Sequence, residues 1–210
     1  MCGRFTITVP AAEVAELMGL PELPAFAPRY NVKPTTPILV VRELEGRRVA
    51  ETPMWGFAPA WSSTRPVINA TVEKVRAKSP YWRAAAKHGR CLVPMSAGYE
   101  WKDAGTKKSV AHAFGVLPKH SLFAVAGLID NGTAALITCA PNPFMATLHD
   151  RMPAIQAPAE YDAWLRDGDL DLLRPFPGEM YAYAVEKALL KDRDGPECLT
   201  EFPPAGPTFG

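Results

Sequence analysis

No run in this 210-residue chain comes near the roughly 18 apolar residues of a membrane span, and the first residues lack the basic-then-apolar layout of a secretory leader. A cytoplasmic protein is therefore expected. Cysteine is scarce: four residues stand at 2, 91, 139 and 198, and no two of them form a C-x-x-C pair. That spacing gives no reason to expect zinc or any other metal or cofactor, and in a reducing compartment no disulfide is expected either. Cys91 and Cys139 sit in apolar, strand-like runs and read as buried core thiols. Charge of one sign is not in excess, and a net charge of +1 argues against a generic nucleic-acid binder.

What is present is the composition of an ordinary globular protein, 48% hydrophobic and 21% charged, over a length that suits one domain. The 22 prolines imply many ordered loops and short elements. Residues 4–9 (RFTITV) read as a strand, and 10–18 as a helix with Pro10 in its first turn and Gly19 as its stop. Residues 21–37 read as proline-rich loop around Arg29-Tyr30-Asn31. A hairpin is expected from 37–44 and 47–55 about Glu45-Gly46, then an aromatic turn to Trp61 and an extended piece at 67–70. Ser79 caps a helix with Pro80 at its first position that stops at Gly89. Residues 91–94 and 98–101 read as short strands joined to a polar turn at 102–109. Residues 121–129 and 133–139 flank Asp130-Asn131-Gly132, where Asn-Gly accepts the positive φ of a tight hairpin. A strand at 152–156, a helix at 158–166, a strand at 180–186 and a loosely held tail at 192–210 complete the chain. Many short strands against few helices, with no βαβ rhythm and no internal repeat, predict an α+β fold. Its expected frame is a single domain built on a curved, mostly antiparallel, barrel-like β-sheet with flanking helices.

Two local features carry chemistry. The first is Cys2, directly after Met1. Its small side chain permits removal of Met1, which leaves an α-amine and a thiol on adjacent carbons. An α-amine titrates near ~7.7–8.0 and a free thiol near ~8.5, so both are partly nucleophilic at neutral pH. Together they can condense with an aldehyde, first to an imine and then to a thiazolidine; the thiol alone could serve acyl transfer. The plain alternative is a small early residue without a role. The second feature is residues 65–90, where seven lysines and arginines face Glu73 alone. This segment makes either a phosphate-attracting surface or a solvated helix face.

Polar residues also interrupt apolar segments. Asn69 follows Val67-Ile68, Glu100 lies between Tyr99 and Trp101, His149 lies in Leu148-His149-Asp150-Arg151-Met152-Pro153, and Asn31 follows Arg29-Tyr30. A carboxylate between two aromatics is partly desolvated, which suits it to giving a proton, and a histidine is its natural partner near neutral pH. Each also has a plain placement: Glu100 on the wet face of an edge strand, His149 in a surface loop with Asp150, Asn69 in a turn.

In order along the chain stand Met1-Cys2-Gly3-Arg4-Phe5, Arg29-Tyr30-Asn31 with Pro34, Trp55-Gly56 with Pro59 and Trp61, and Asn69-Ala70 with Glu73. Then come Arg90-Cys91-Leu92-Val93-Pro94, Gly98-Tyr99-Glu100-Trp101, Gly127-Leu128 and His149-Asp150-Arg151-Met152-Pro153. This series, across residues 1 to about 155, resembles the SRAP family, the SOS response-associated peptidase or abasic-site-processing proteins. The resemblance implies one domain of that fold that acts, as a monomer, on single-stranded DNA with abasic sites, at the nucleoid and near replication-fork proteins. It implies that Cys2, freed of Met1, crosslinks to the abasic aldehyde through a Schiff base and a thiazolidine, with a possible lyase side reaction. Glu100 would relay protons, His149 would assist opening of the sugar, and Asn69 would orient the sugar or Cys2. Arg4, Asn31, Trp61, Arg76 and Arg83 would meet the DNA, Trp61 by stacking and the arginines at phosphates, while Trp55 reads as packing. The sequence departs from the pattern at Thr71, where the family commonly has arginine, at Lys33 and Thr36, and in the less clearly matched 183–187. Two other readings compete: a cysteine peptidase in which Cys2 and His149 remove Met1, and a non-covalent binder of single-stranded DNA.

Overall fold

The computed structural model describes residues 2–62, 65–103 and 109–202. Its first half contains β1 (Arg4–Ile7), α1 (Ala11–Met18), β2 (Arg29–Val32), β3 (Val40–Leu44), β4 (Arg47–Glu51), β5 (Met54–Trp55), β6 (Asn69–Thr71), α2 (Val72–Arg76) and α3 (Pro80–His88). Then follow β7 (Arg90–Met95), β8 (Ala97–Asp103), β9 (Ser109–Val116), β10 (Phe123–Asp130), β11 (Thr133–Cys139), β12 (Met152–Pro153), β13 (Ile155–Gln156), β14 (Met180–Val185) and α4 (Leu189–Asp192).

One antiparallel sheet has the order β14-β9-β8-β1-β2. The other runs β12-β11-β10-β7-β3-β4, with β13 on β10 and with β5 and β6 added parallel to β11. Together they curl into a half-barrel with a few flanking helices, the α+β class expected. Ser96 alone separates β7 in one sheet from β8 in the other. It is fully buried; its amide donates to the Thr6 carbonyl (2.8 Å) and its hydroxyl accepts from the Thr8 amide (3.0 Å), which clamps this corner to β1. The main core, with Phe5, Trp55, Leu92, Leu128, Leu136 and Trp164, fills the space between the sheets. A smaller cluster, Tyr99, Tyr181, Tyr183, Val185, Leu190 and Cys198, lies under the C-terminal segment.

Local signals place several element ends. Gly19 takes φ 64° after α1, and the Leu20 amide closes back on the Ala15 carbonyl (2.9 Å). Asn131 and Gly132 take φ of 45° and 68° between the paired Asp130 and Thr133. Gly89 ends α3 against β10, where an added Cβ would stand 1.9 Å from the Ile129 carbonyl oxygen.

Other elements differ from the sequence expectation. Residues 29–32 are a strand, because β1 supplies an antiparallel partner that the surrounding prolines do not advertise. The expected second hairpin strand stops at Glu51; Met54–Trp55 crosses instead to pair in parallel with β11. Strand β9 and the single-turn α2 carry no strong local pattern. In β9, Ala111, Ala113 and Gly115 are small because tyrosines from β8 and β14 occupy the space, with Tyr181 atoms 2.9 Å from where a Gly115 Cβ would sit. The helix expected at 158–166 is a 3-10 turn (Pro158–Glu160) followed by a π turn (Ala163–Asp167) that ends at Gly168 with φ 67°. The tail from residue 192 is pinned as far as Phe202. Asp194 accepts from the Tyr30 and Asn31 amides (2.6 and 2.7 Å), Cys198 is buried, and the Phe202 amide donates to the Ala184 carbonyl (2.8 Å). The rest of that tail, and most of the turn at 102–109, lie outside the described residues.

Candidate active site

Strand β1 lies inside its sheet, between β8 and β2, so the residues just before it are held on a rigid base. The register pairs Arg4 with Tyr99, which sets Cys2 close to Glu100. Cys2 is 1% exposed, and its thiol donates to the Arg4 carbonyl (Sγ–O 3.3 Å). Burial, and then the Glu100 carboxylate, push this thiol up to about 12 from an ordinary 9.0. At neutral pH the thiol is protonated.

Strand β6 pairs with β11 of the other sheet and brings Asn69 across to the N-terminus. Asn69 is buried, its Nδ2 donates to the Cys2 carbonyl (3.0 Å), and its Oδ1 accepts no hydrogen bond among the described residues. Glu100 projects from β8 and is 3% exposed; its Oε1 accepts a long bond from the Trp101 amide (3.4 Å). His149, on the loop before β12, sets Nε2 3.8 Å from that same oxygen, a separation that a water or a small shift would bridge. Its Nδ1 accepts from the Arg151 amide (3.0 Å) and also lies 2.7 Å from Oδ1 of the well-exposed Asp150. These two partners demand opposite protonation of Nδ1. When it carries no proton, the Arg151 amide satisfies it; when it is protonated, Asp150 accepts. Asp150, His149 and Glu100 thus run from solvent to the buried carboxylate. Arg151 fixes this loop by a two-pronged pair with Glu73 (2.8 and 2.9 Å) and a bond to the Thr138 carbonyl (2.8 Å), and its guanidinium lowers the Glu73 carboxyl.

Cys2, Asn69, Glu100 and His149, from four separate segments, therefore meet where the two sheets join. Arg4 stands next to them. Its Nη1 donates to Asn31 Oδ1 (2.9 Å) and to the Leu190 carbonyl. Asn31 is 1% exposed, and its Nδ2 donates to the carbonyls of Leu190 (2.9 Å) and Arg193 (2.6 Å). In this position Asn31 holds Arg4 and the C-terminal strap. Trp61 is 67% exposed and stands edge-on to Tyr81 (6.0 Å, 79°) of α3, the helix that also carries exposed Arg83. Trp55 is fully buried, with Nε1 donating to the Ile68 carbonyl (2.9 Å).

The basic segment divides. Arg76 donates to the Leu170 carbonyl (2.9 Å), and Arg90 donates to the carbonyls of Leu165, Ala86, Lys87 and Arg166. Those two guanidinium groups tie α2, α3 and the start of β7 to residues 165–170. The sequence pattern assigned no role to Asp150 or Trp101, although each directly follows a residue that stood out: Asp150 after His149, Trp101 after Glu100.

The Cys2 thiol, the Glu100 carboxylate, the His149 imidazole and the Asn69 carboxamide thus stand together beside the N-terminal end of β1. Residues 1–191 match the family model described as SOS response associated peptidase (SRAP), and the chain belongs to that family. It is 30% identical over 225 residues to the abasic site processing protein YoqW of Bacillus subtilis, an alignment covering 96% of this chain and 99% of that one. It is 29% identical over 178 residues to the abasic site processing protein YedK of Escherichia coli, covering 79% and 80%. A solved structure from Bacteroides thetaiotaomicron superposes with a TM-score of 0.82 at 21% identity, over 96% of this chain and 100% of that chain. That likeness shows the fold.

Proposed function

We propose that this protein processes abasic sites in DNA, and that with Cys2 as its first residue it captures the ring-opened sugar of an abasic nucleotide in single-stranded DNA as a thiazolidine. The observation that carries the reading is the meeting of Asn69, Glu100 and His149 around a Cys2 whose thiol stays protonated.

The amine acts first. A thiol held at about 12 is almost wholly neutral at pH 7.5, whereas an α-amine near ~7.7–8.0 is partly unprotonated there. His149 moves a proton at the ring oxygen as the closed sugar opens to its aldehyde. The α-amine nitrogen then bonds to the aldehyde carbon, giving a carbinolamine. Glu100 takes a proton from the attacking nitrogen and delivers it to the oxygen, then passes the nitrogen's remaining proton to that oxygen, which leaves as water as the imine forms. The sulfur next bonds to the imine carbon while the thiol proton passes to the nitrogen, closing the ring. One water is released and nothing is oxidised or reduced. Asp150 returns His149 to its starting protonation by exchange with solvent, and the free Oδ1 of Asn69 is an acceptor for the α-amine or the reacting sugar. Ring closure withdraws the imine from β-elimination, so adduct rather than strand cleavage is the main product. A cysteine-peptidase mechanism fits less well, since it needs a readily formed thiolate, and burial and Glu100 both oppose one here.

The test is a denaturing gel of abasic single-stranded DNA incubated with protein shown by mass to lack Met1. A heat-stable shifted band is expected from the wild type and not from Cys2→Ala or Cys2→Ser. Cys2→Ser, which keeps the α-amine, should give a band only after borohydride trapping of the imine. A wild-type protein that forms no stable band overturns the proposal.

A further inference from the structure

The turn between β9 and β10 sets a histidine against the outer edge of the smaller cluster. His120 takes φ 65° and stands edge-on to Tyr181 (5.6 Å, 66°) and Tyr183 (6.1 Å, 78°), whose rings stack along β14 (6.0 Å, 13°). Its Nδ1 lies 3.3 Å from the Tyr181 hydroxyl and its Nε2 3.3 Å from the Tyr183 hydroxyl. The other partners of those hydroxyls assign each proton. Tyr183 donates to the Leu199 carbonyl (3.0 Å), so its oxygen accepts from Nε2–H. Nδ1 is then an acceptor. Tyr181 donates to it, while the Tyr181 oxygen accepts from the His120 amide (3.1 Å). The neutral ring thus completes a chain of bonds from the turn, through β14, to the C-terminal segment.

A proton on Nδ1 breaks this chain. Two hydrogens would face one another, and the hydroxyl of Tyr181, a residue 6% exposed, would have to turn away and lose its acceptor. The new charge would also stand beside Lys119, whose ammonium lies over the Tyr183 ring (4.7 Å) and 3.6 Å from Glu201. Both ends of that ion pair are at least half exposed, so Glu201 offsets little. Burial first and Lys119 second hold the imidazole below its ordinary 6.5, whereas burial raises both phenols. His120 is therefore the group in this cluster that changes charge between about pH 5 and 8. Few bonds hold the segment at 196–202 to the sheets: Tyr183 to the Leu199 carbonyl, Tyr99 to the Cys198 carbonyl (3.3 Å) and the Phe202 amide to the Ala184 carbonyl (2.8 Å). That segment continues the strap whose Leu190 and Arg193 carbonyls brace Arg4 and Asn31.

We propose that Tyr181, His120 and Tyr183 form a latch that fastens residues 196–202 to β14 while the imidazole is neutral and releases them when it takes up a proton. The hold is complete above about pH 7 and weakens as pH falls from ~6.5 toward the lower value of the latched ring.

The experiment follows amide exchange of Cys198, Thr200 and Phe202, all bonded in the closed segment, between about pH 7.5 and about pH 5.5 with intrinsic rates divided out. Leu136 on β11, bonded to the Ile68 carbonyl, is the reference. A released ring titrates near ~6.5, so protection of the three amides should fall by up to about tenfold at pH 5.5 while that of Leu136 holds. His120→Gln can donate to Tyr183 but takes up no proton, and its protection should not vary with pH. Tyr183→Phe keeps the ring and removes the tie to Leu199, so its three amides should be poorly protected already at pH 7.5. Wild-type protection that is flat with pH, a fall of equal size in His120→Gln, or full protection in Tyr183→Phe overturns the latch.

Discussion

Replacing Glu100 by glutamine separates the proton transfer proposed for this carboxylate from its charge effect on the Cys2 thiol. The side chain is buried and its Oε1 lies 3.8 Å from His149 Nε2, so glutamine keeps the shape and removes the ability to give and take a proton. Loss of a positioned acid–base group costs about 10²–10⁴ in rate, or roughly 3–5 kcal/mol of barrier. Crosslinking of an abasic oligonucleotide under single-turnover conditions, sampled by quench and denaturing gel, should slow by that factor, with affinity for undamaged single strand unchanged. The same substitution should act on the thiol in the opposite sense. Cys2 stands at about 12, burial being the larger cause and Glu100 the next, so neutralising Glu100 lowers the thiol only part of the way to its ordinary 9.0. Alkylation of Cys2 by iodoacetamide at pH 8, followed by mass, should quicken on the order of tenfold, well short of the ~10³ that full relief would give. The variant is thus expected to be a worse crosslinker with a more reactive thiol. Wild-type crosslinking beside faster alkylation would make Glu100 an electrostatic neighbour only. Unchanged alkylation would refute the charge contact with Cys2 as well.

Further predictions concern the loop, the strap and the frame. Asp150→Asn should slow crosslinking by less than the ~10² of losing a general acid–base group, because Nδ1 of His149 loses its anionic acceptor; an unaltered rate would exclude Asp150 from the relay. Asp194→Ala removes the acceptor for the Tyr30 and Asn31 amides, which should cost about 1–2 kcal/mol and speed hydrogen exchange at those amides. The same variant should weaken DNA affinity by loosening Arg4, and unchanged exchange at residues 30 and 31 would count against the strap as an anchor. Gly89→Ala forces a Cβ to within 1.9 Å of the Ile129 carbonyl oxygen, and neither backbone can yield freely. A loss of about 3 kcal/mol is expected, roughly 6–12 °C in Tm by calorimetry, and an unshifted Tm would contradict the packing described.

By itself the sequence determined the features whose cause is local. Asn131-Gly132 forms a tight hairpin because both positions accept positive φ, and Gly19 ends α1 for the same reason. Cys2, Asn69, Glu100 and His149 each stood out as polar groups in apolar or terminal settings, and the order of their motifs tied them to one family. Tertiary structure alone decided what depends on distant partners. Residues 29–32 are a strand because β1 lies beside them, and β9 is a strand whose small side chains make room for tyrosines of β8 and β14. The charge of Arg76 and Arg90 is legible in the chain, but carbonyls some 75 to 94 residues away determine where those guanidinium groups go. Asn31 likewise became a buried brace for Arg4 only once the C-terminal strap had folded over it. A residue's chemistry is fixed by its own atoms. Its protonation, its exposure and the groups it can reach are set by what the fold packs around it.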